Sequence, residues 1–212
     1  MVNVPRLEDM LRQYTAQRAE LEARGIYYVR DIDDESAEMF SKSLLLMALG
    51  REGRPELPIT VYISSGGGSV GPGLAMIEAI HRVQHQFHVK VNTVVLGYAY
   101  SMASVLVQAG DRRSMGGLST MMLHSSSWLL SGEDNKIFRD YQKLADHYQY
   151  LVSNIFATRT GHKDIGWWRR FVYSGHDRFL TAGECVELGL VDDLLEYPDD
   201  PADHEPQNRR TF

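Results

Sequence analysis

A hydroxyl, an imidazole and a carboxylate follow one another along the chain as Ser101, His124 and Asp177, each beside a short apolar run. Such a set can make a nucleophile, because the imidazole takes the serine proton and the carboxylate fixes the imidazole's tautomer. Order alone is weak evidence, since any chain of this length contains it. Ser101 stands in Gly97-Tyr98-Ala99-Tyr100-Ser101-Met102-Ala103, where a β-branched run gives way to small residues. At such a strand-to-helix junction the first helical amides lack intrahelical partners and can receive negative charge. Serine is also a good N-cap, so Ser101 has a purely structural reading as well. Met121-Met122-Leu123 leads into His124, and Asp177 precedes Arg178-Phe179-Leu180. The serine lacks a Gly-x-Ser-x-Gly frame, which counts against an α/β-hydrolase elbow.

Two other clusters invite chemistry. Gly66-x-Gly68-x-x-Gly71 lies between an apolar strand and a helix, the context of a dinucleotide fingerprint. That reading needs an acidic residue about 20 positions further on, and none occurs between Glu78 and Asp111. A tight turn, or a backbone that must approach a substrate or oxyanion closely, fits the glycines equally well. His81 and His85 are four apart with His88 beyond, but Arg82 stands where a zincin needs glutamate. A solvated helix face accounts for them better than a metal, and no cofactor or metal is expected.

The chain has 212 residues, with 43% hydrophobic and 24% charged side chains, which is globular usage and excludes a fibrous or wholly disordered protein. Net charge is −6 and no long basic run occurs, so nucleic acid is not an expected partner. The single cysteine, Cys185, excludes an intrachain disulfide and suits a reducing compartment. Charged residues from Arg6 to Arg12 make the N-terminus unlike a signal peptide. Val91 to Gly110 carries no charge, but Asn92, Ser101, Ser104 and Gln108 interrupt it. We read it as a buried strand, a turn at Gly97 and a buried helix rather than a membrane span.

Around these residues the pattern predicts alternating elements. An amphipathic helix spans 6–24 with Gly25 as its stop, followed by a strand at 26–29 and a helix from Asp34 to Gly50. A strand at 59–63 enters the glycine run, and a helix follows with Leu74, Ile77 and Ile80 on one face. Then come strands near 89–96 and 121–123, a long polar helix near 133–158, and helices near 164–173 and 181–188. A final strand covers 190–195. The alternation argues for α/β layers with parallel strands. The expected organisation is an N-terminal segment and helix over 1–25, a main domain over 26–196 and a disordered tail over 197–212.

The motifs together resemble the proteolytic subunit of the Clp protease, a self-compartmentalising serine peptidase fed by an ATPase. The resemblance runs from about Ile26 to Leu195. It rests on Ile59 to Gly68, the Gly-x-Ala-x-Ser-Met-Ala segment, the Met-x-x-His strand end, and Asp-Arg-Phe-Leu-Thr-Ala followed by Glu-Leu-Gly-Leu-Val-Asp. It implies a crotonase-like α/β fold, a spiral of ββα units with a protruding handle helix near 133–158. It also implies Ser101 as nucleophile, His124 as general base then acid, Asp177 as orienting carboxylate, and the amides of Gly68 and Met102 as oxyanion hole. The implied setting is cytoplasmic. The implied partners are further copies in paired heptameric rings, an AAA+ Clp-type ATPase and unfolded protein substrates, with no membrane.

Departures mark a divergent member. Ser125-Ser126 replaces the family's usual Gln-Pro, and His176 replaces an arginine of an inter-ring charge contact. Thr60 stands where a tyrosine helps dock the ATPase, although Tyr62 remains; the handle lacks Gly-Gln-Ala and the axial loop is expected to be short. Two other functions fit the same residues: a non-catalytic ring subunit, or another crotonase-fold hydrolase such as a signal-peptide peptidase. The latter commonly uses a lysine, and none lies between Lys90 and Lys136.

Overall fold

The computed structural model describes residues 7–51, 54, 56–125, 135–161 and 163–196. Ser126, the segment before Leu7, the start of the expected handle at 133–134 and the tail beyond 196 lie outside the described residues.

Helix α1, Leu7–Ala23, ends at Gly25, whose φ of +80° suits glycine. A Cβ there would sit 2.3 Å from Arg51 Nη2, and that guanidinium donates to the carbonyls of Met47 and Ala23. Arg51 thus ties the end of α1 to the end of α2, Asp34–Leu49. Helix α2 begins in a capping box, with Asp33 and Ser36 exchanging side-chain and backbone bonds. It buries Phe40, Leu44, Met47 and Ala48 at helical spacing. The outer face of α1 keeps Met10, Leu11 and Tyr14 exposed.

Strand β1, Ile26–Val29, pairs in parallel with β2, Ile59–Ser65, which alternates buried and half-buried residues. Helix α3, Val70–Gln86, returns the chain to β3, Val91–Tyr100. Beyond β3 lie α4, Met102–Val107, and two short strands, β4, Arg113–Met115, and β5, Thr120–Leu123. Helices α5, Asn135–Thr160, and α6, Ile165–Val172, precede β6, Arg178–Thr181, α7, Ala182–Glu187, and β7, Asp193–Leu194. The sheet order is β1-β2-β3-β4-β7, with β5 on the far half of β3 and β6 on β5.

The structure departs from the sequence expectations in several places. Gly97 does not end its strand; β3 continues to Tyr100, and α4 is correspondingly shorter than expected. The reason is a change of neighbour: β3 pairs with β4 over Thr93 to Val95 and with β5 over Tyr98 to Tyr100. Gly97, at φ +80° and with its N–H donated to Ser119 Oγ, lies at that change. The sheet is parallel except for the β5–β6 pair, which is antiparallel. The buried side of α5 is Val152, Ser153, Phe156 and Thr160 near its C-terminal end, while Tyr141 and Leu144 are exposed. Phe156 stacks on Trp168 of α6, whose indole N–H donates to Thr160 Oγ1. No helix among the described residues is long and apolar enough to cross a membrane.

Candidate active site

The sheet register gathers the three candidates. Tyr100 is the last β3 residue and pairs with Met122 of β5, and the Ser101 amide still donates to the Met122 carbonyl at 2.8 Å. Leu123 pairs with Arg178 across the antiparallel β5–β6 pair, so His124 and Asp177 are the next opposed positions. Each candidate therefore stands one step past the paired end of its strand. His124 Nε2 lies 2.7 Å from Ser101 Oγ, and His124 Nδ1 lies 3.8 Å from Asp177 Oδ1. In the tautomer with the Nδ1 proton facing Asp177, Ser101 Oγ–H donates to Nε2.

Ser101 is at the N-cap of α4 but does not cap it, since its side chain makes no capping bond. Its hydroxyl is directed to His124 instead. Its backbone has φ 54° and ψ −126°, a region that L-residues avoid and that costs of order 1–3 kcal/mol. The surrounding structure overcomes this cost by fixing the peptide on both sides. Gly67, at φ +95°, packs against the junction so closely that a Cβ would lie 2.7 Å from Ser101 Cβ and 2.6 Å from the Tyr100 carbonyl. Gly68, at φ +154°, is pressed on Ile32, where a Cβ would fall 2.1 Å from the carbonyl oxygen. Gly66 and Gly71 have open space around them. The spacing that matters is therefore Gly67-Gly68, and the dinucleotide pattern has no structural counterpart. Gly67 escaped the sequence reading; the run of three glycines was its only signal.

The N–H groups of Gly68 and Met102 have no protein acceptor among the described residues. Beside Ser101 opens a cavity of about 50 Å3, lined chiefly by Val70, Val105, Val152, Phe156, Val172 and Tyr173. Burial pushes the Tyr173 phenol up to about 12, so it stays neutral. No local pattern in the sequence points to α5 and α6 as this wall. His81 and His85 lie exposed on α3 with ring centroids 6.3 Å apart, away from the triad candidates. His176 is exposed as well.

A serine at a strand-to-helix junction, an imidazole at hydrogen-bond distance, two amides without a protein acceptor among the described residues and an apolar pocket are together suited to acyl transfer. The family model for Clp protease matches residues 8–198. The chain is 31% identical over 182 residues to an "ATP-dependent Clp protease proteolytic subunit" of Dehalococcoides mccartyi, covering 84% of this chain and 85% of that relative. It is 33% identical over 185 residues to the proteolytic subunit 2 of Thermobifida fusca, covering 86% and 85%. For the corresponding subunit 2 of Mycobacterium bovis the figures are 32% over 182 residues, 83% and 79%. The chain belongs to the Clp protease family, as a divergent member, and carries that family's crotonase-like fold.

Proposed function

We propose that this chain is a serine endopeptidase that cleaves peptide bonds through an acyl-enzyme. The observation that carries the proposal is the 2.7 Å contact between His124 Nε2 and an Oγ held in a strained, positive-φ backbone. Ser101 Oγ attacks the scissile carbonyl while His124 takes its proton. Asp177 orients the imidazole and stabilises its cation. The amides of Gly68 and Met102 receive the oxyanion. His124 then gives the proton to the leaving amine, and a water activated by the same imidazole releases the acyl group. The apolar pocket takes the side chain on the acyl side of the bond.

Residues 26–196 form the peptidase domain in this proposal, residues 1–25 an N-terminal arm and 197–212 an appended tail. The chain works in the cytoplasm as part of paired heptameric rings that enclose the sites and admit unfolded chains delivered by an AAA+ Clp-type ATPase. Exposed Tyr141 and Leu144 on α5 support a role for that helix in contacts between copies. The stacked Tyr28–Tyr62 pair, with Tyr28 exposed, offers an apolar surface to the ATPase. Relatives named ATP-dependent proteolytic subunits support the same assignment.

The test is Ser101→Ala beside the unchanged protein, each assayed with a fluorogenic peptide. In a comparable enzyme, removing the serine costs roughly 10⁶-fold in turnover. The variant is expected to assemble normally and to be inactive. Turnover near that of the unchanged protein would overturn the proposal, and a chain that never hydrolyses peptides would favour a non-catalytic ring subunit.

A further inference from the structure

Helix α4 has six residues, all buried, too few for its own hydrogen bonds to hold it in place. Its polar groups nevertheless form one continuous line into the C-terminal turn. Ser104 donates twice to the Ser101 carbonyl, through its Oγ at 2.6 Å and through its backbone N–H at 3.0 Å. Gln108 Nε2 donates to the Ser104 carbonyl at 3.2 Å and to the Leu190 carbonyl at 3.1 Å. Gln108 Oε1 accepts from Arg113 Nη1 at 2.8 Å, and that nitrogen also donates to the Gly189 carbonyl at 2.9 Å. Arg113 pairs in turn with Asp192, whose Oδ2 accepts the Arg113 backbone N–H at 2.8 Å. Ser104 and Gln108 are 1% and 0% exposed.

Every hydrogen-bonding atom of the Gln108 amide is engaged, so only one orientation works. Flipping it would set the oxygen against two carbonyls and the NH2 against a guanidinium. Packing alone would be satisfied by an apolar side chain of the same volume, without the cost of burying an amide. What the amide adds is a fixed place for the Ser104 carbonyl, and with it for the turn that holds the Ser101 carbonyl.

That carbonyl matters because of what shares its plane. Ser101 C=O and Met102 N–H belong to one planar peptide unit, and no peptide bond in the described structure is cis. Fixing the carbonyl therefore fixes the direction of the N–H on the opposite side. The Ser101 amide is held separately by the Met122 carbonyl, so the φ and ψ of Ser101 are pinned from two sides.

We propose that Ser104 and Gln108 are positioning residues that aim the Met102 N–H at the developing oxyanion, with Arg113 and Asp192 holding Gln108 in its orientation. The inference rests on the assignment of Ser101 as nucleophile. Removing an oxyanion donor outright costs about 10²–10³-fold in turnover. Misdirecting one should cost less, about 10-fold.

The experiment compares the full-length protein with Ser104→Ala, Gln108→Met and the double variant. It reads kcat and KM on a fluorogenic peptide, inhibition by a peptide boronate that forms a tetrahedral adduct, inhibition by the matching product peptide, and thermal stability. Each single change is expected to lower kcat about 10-fold with KM nearly unchanged, and to weaken the boronate by the same factor. The product peptide should bind as before, and the double variant should be little worse than the poorer single, because both changes break one line. Turnover and boronate affinity unchanged in Ser104→Ala would overturn the inference, even if Gln108→Met lost stability or failed to fold. Equal losses for boronate and product would overturn it too, since they would report a damaged binding surface. If the unchanged protein takes up no fluorophosphonate at Ser101, the nucleophile assignment fails and this inference falls with it. Labelling of Ser101 alongside an unaffected Ser104→Ala would overturn this inference alone.

Discussion

Ser101 and Asp177 flank the same imidazole, yet the molecule holds them in different ways. Around Ser101 the backbone is pinned by β5, by Gly67 and by the buried α4, and the hydroxyl meets His124 at 2.7 Å. Asp177 sits at the open end of β6, with its side chain 56% exposed and 3.8 Å from His124 Nδ1. The first distance is a hydrogen bond; the second is too long to be one. The single chain thus fixes the Ser101–His124 contact closely, while Asp177 keeps a longer, solvent-exposed approach to the imidazole.

This contrast ranks the expected effects of mutation. Changing His124→Ala should cost the most, approaching the roughly 10⁶-fold seen when a triad histidine is removed. A change of Asp177→Asn should cost less, below about 10⁴-fold, because solvent already screens this carboxylate. Turnover measured on both variants breaks the contrast if Asp177→Asn proves as severe as His124→Ala. Next comes Gly67→Ala. A methyl group there meets the Tyr100 carbonyl and Ser101 Cβ, and φ +95° disfavours any side chain. Activity should drop about 10²-fold, since displacing a reacting group by roughly 1 Å has that effect. The same change at Gly66, which has open surroundings, should be nearly neutral.

Much of this architecture was legible from the sequence where side-chain periodicity matched burial. The capped helix from Asp34, the alternating strand at Ile59 and the helix bearing Ile77 and Ile80 all follow that rule. Strand β4 escapes a sequence reading because three residues, two of them polar, give no period, although Arg113 and Ser114 are both buried. Gly97 reads as a turn because no local pattern reveals that a strand changes neighbours midway. The candidate site residues are legible only through motif resemblance, and strand register explains why they converge. Ser104 and Gln108 were visible only as polar interruptions in an apolar stretch. Their line to Asp192 depends on the Arg113–Asp192 contact, which spans 79 positions and which no local pattern encodes.

Smaller effects test two regions away from Ser101. Burial pushes the Asp192 carboxyl up, but the hydrogen bonds and charge of Arg113 outweigh it and hold it below the usual range. A depressed carboxylate stabilises the fold above its unfolded pKa of about 4 and loses that contribution as pH falls through the lower folded value. Thermal melts from pH 7 down to about 3 should therefore show a steeper acid loss for the unchanged protein than for Asp192→Asn. Parallel pH profiles would show that the Arg113–Asp192 pair does not anchor the turn. The smallest expected effect concerns Cys185. Burial pushes its thiol up to about 12, so it should resist alkylation in the folded protein and react on unfolding. Rapid reaction of the native protein would mean that α7 opens readily.

The central claim is that Ser101 is made nucleophilic by His124 within a prebuilt junction. Its most direct test is fluorophosphonate labelling of the full-length protein, followed by peptide mass analysis, for the unchanged chain and for His124→Ala. The account predicts one adduct per chain, on Ser101, formed at a rate that collapses when His124 is removed. An adduct on another serine, or labelling of Ser101 at the same rate without His124, would contradict it.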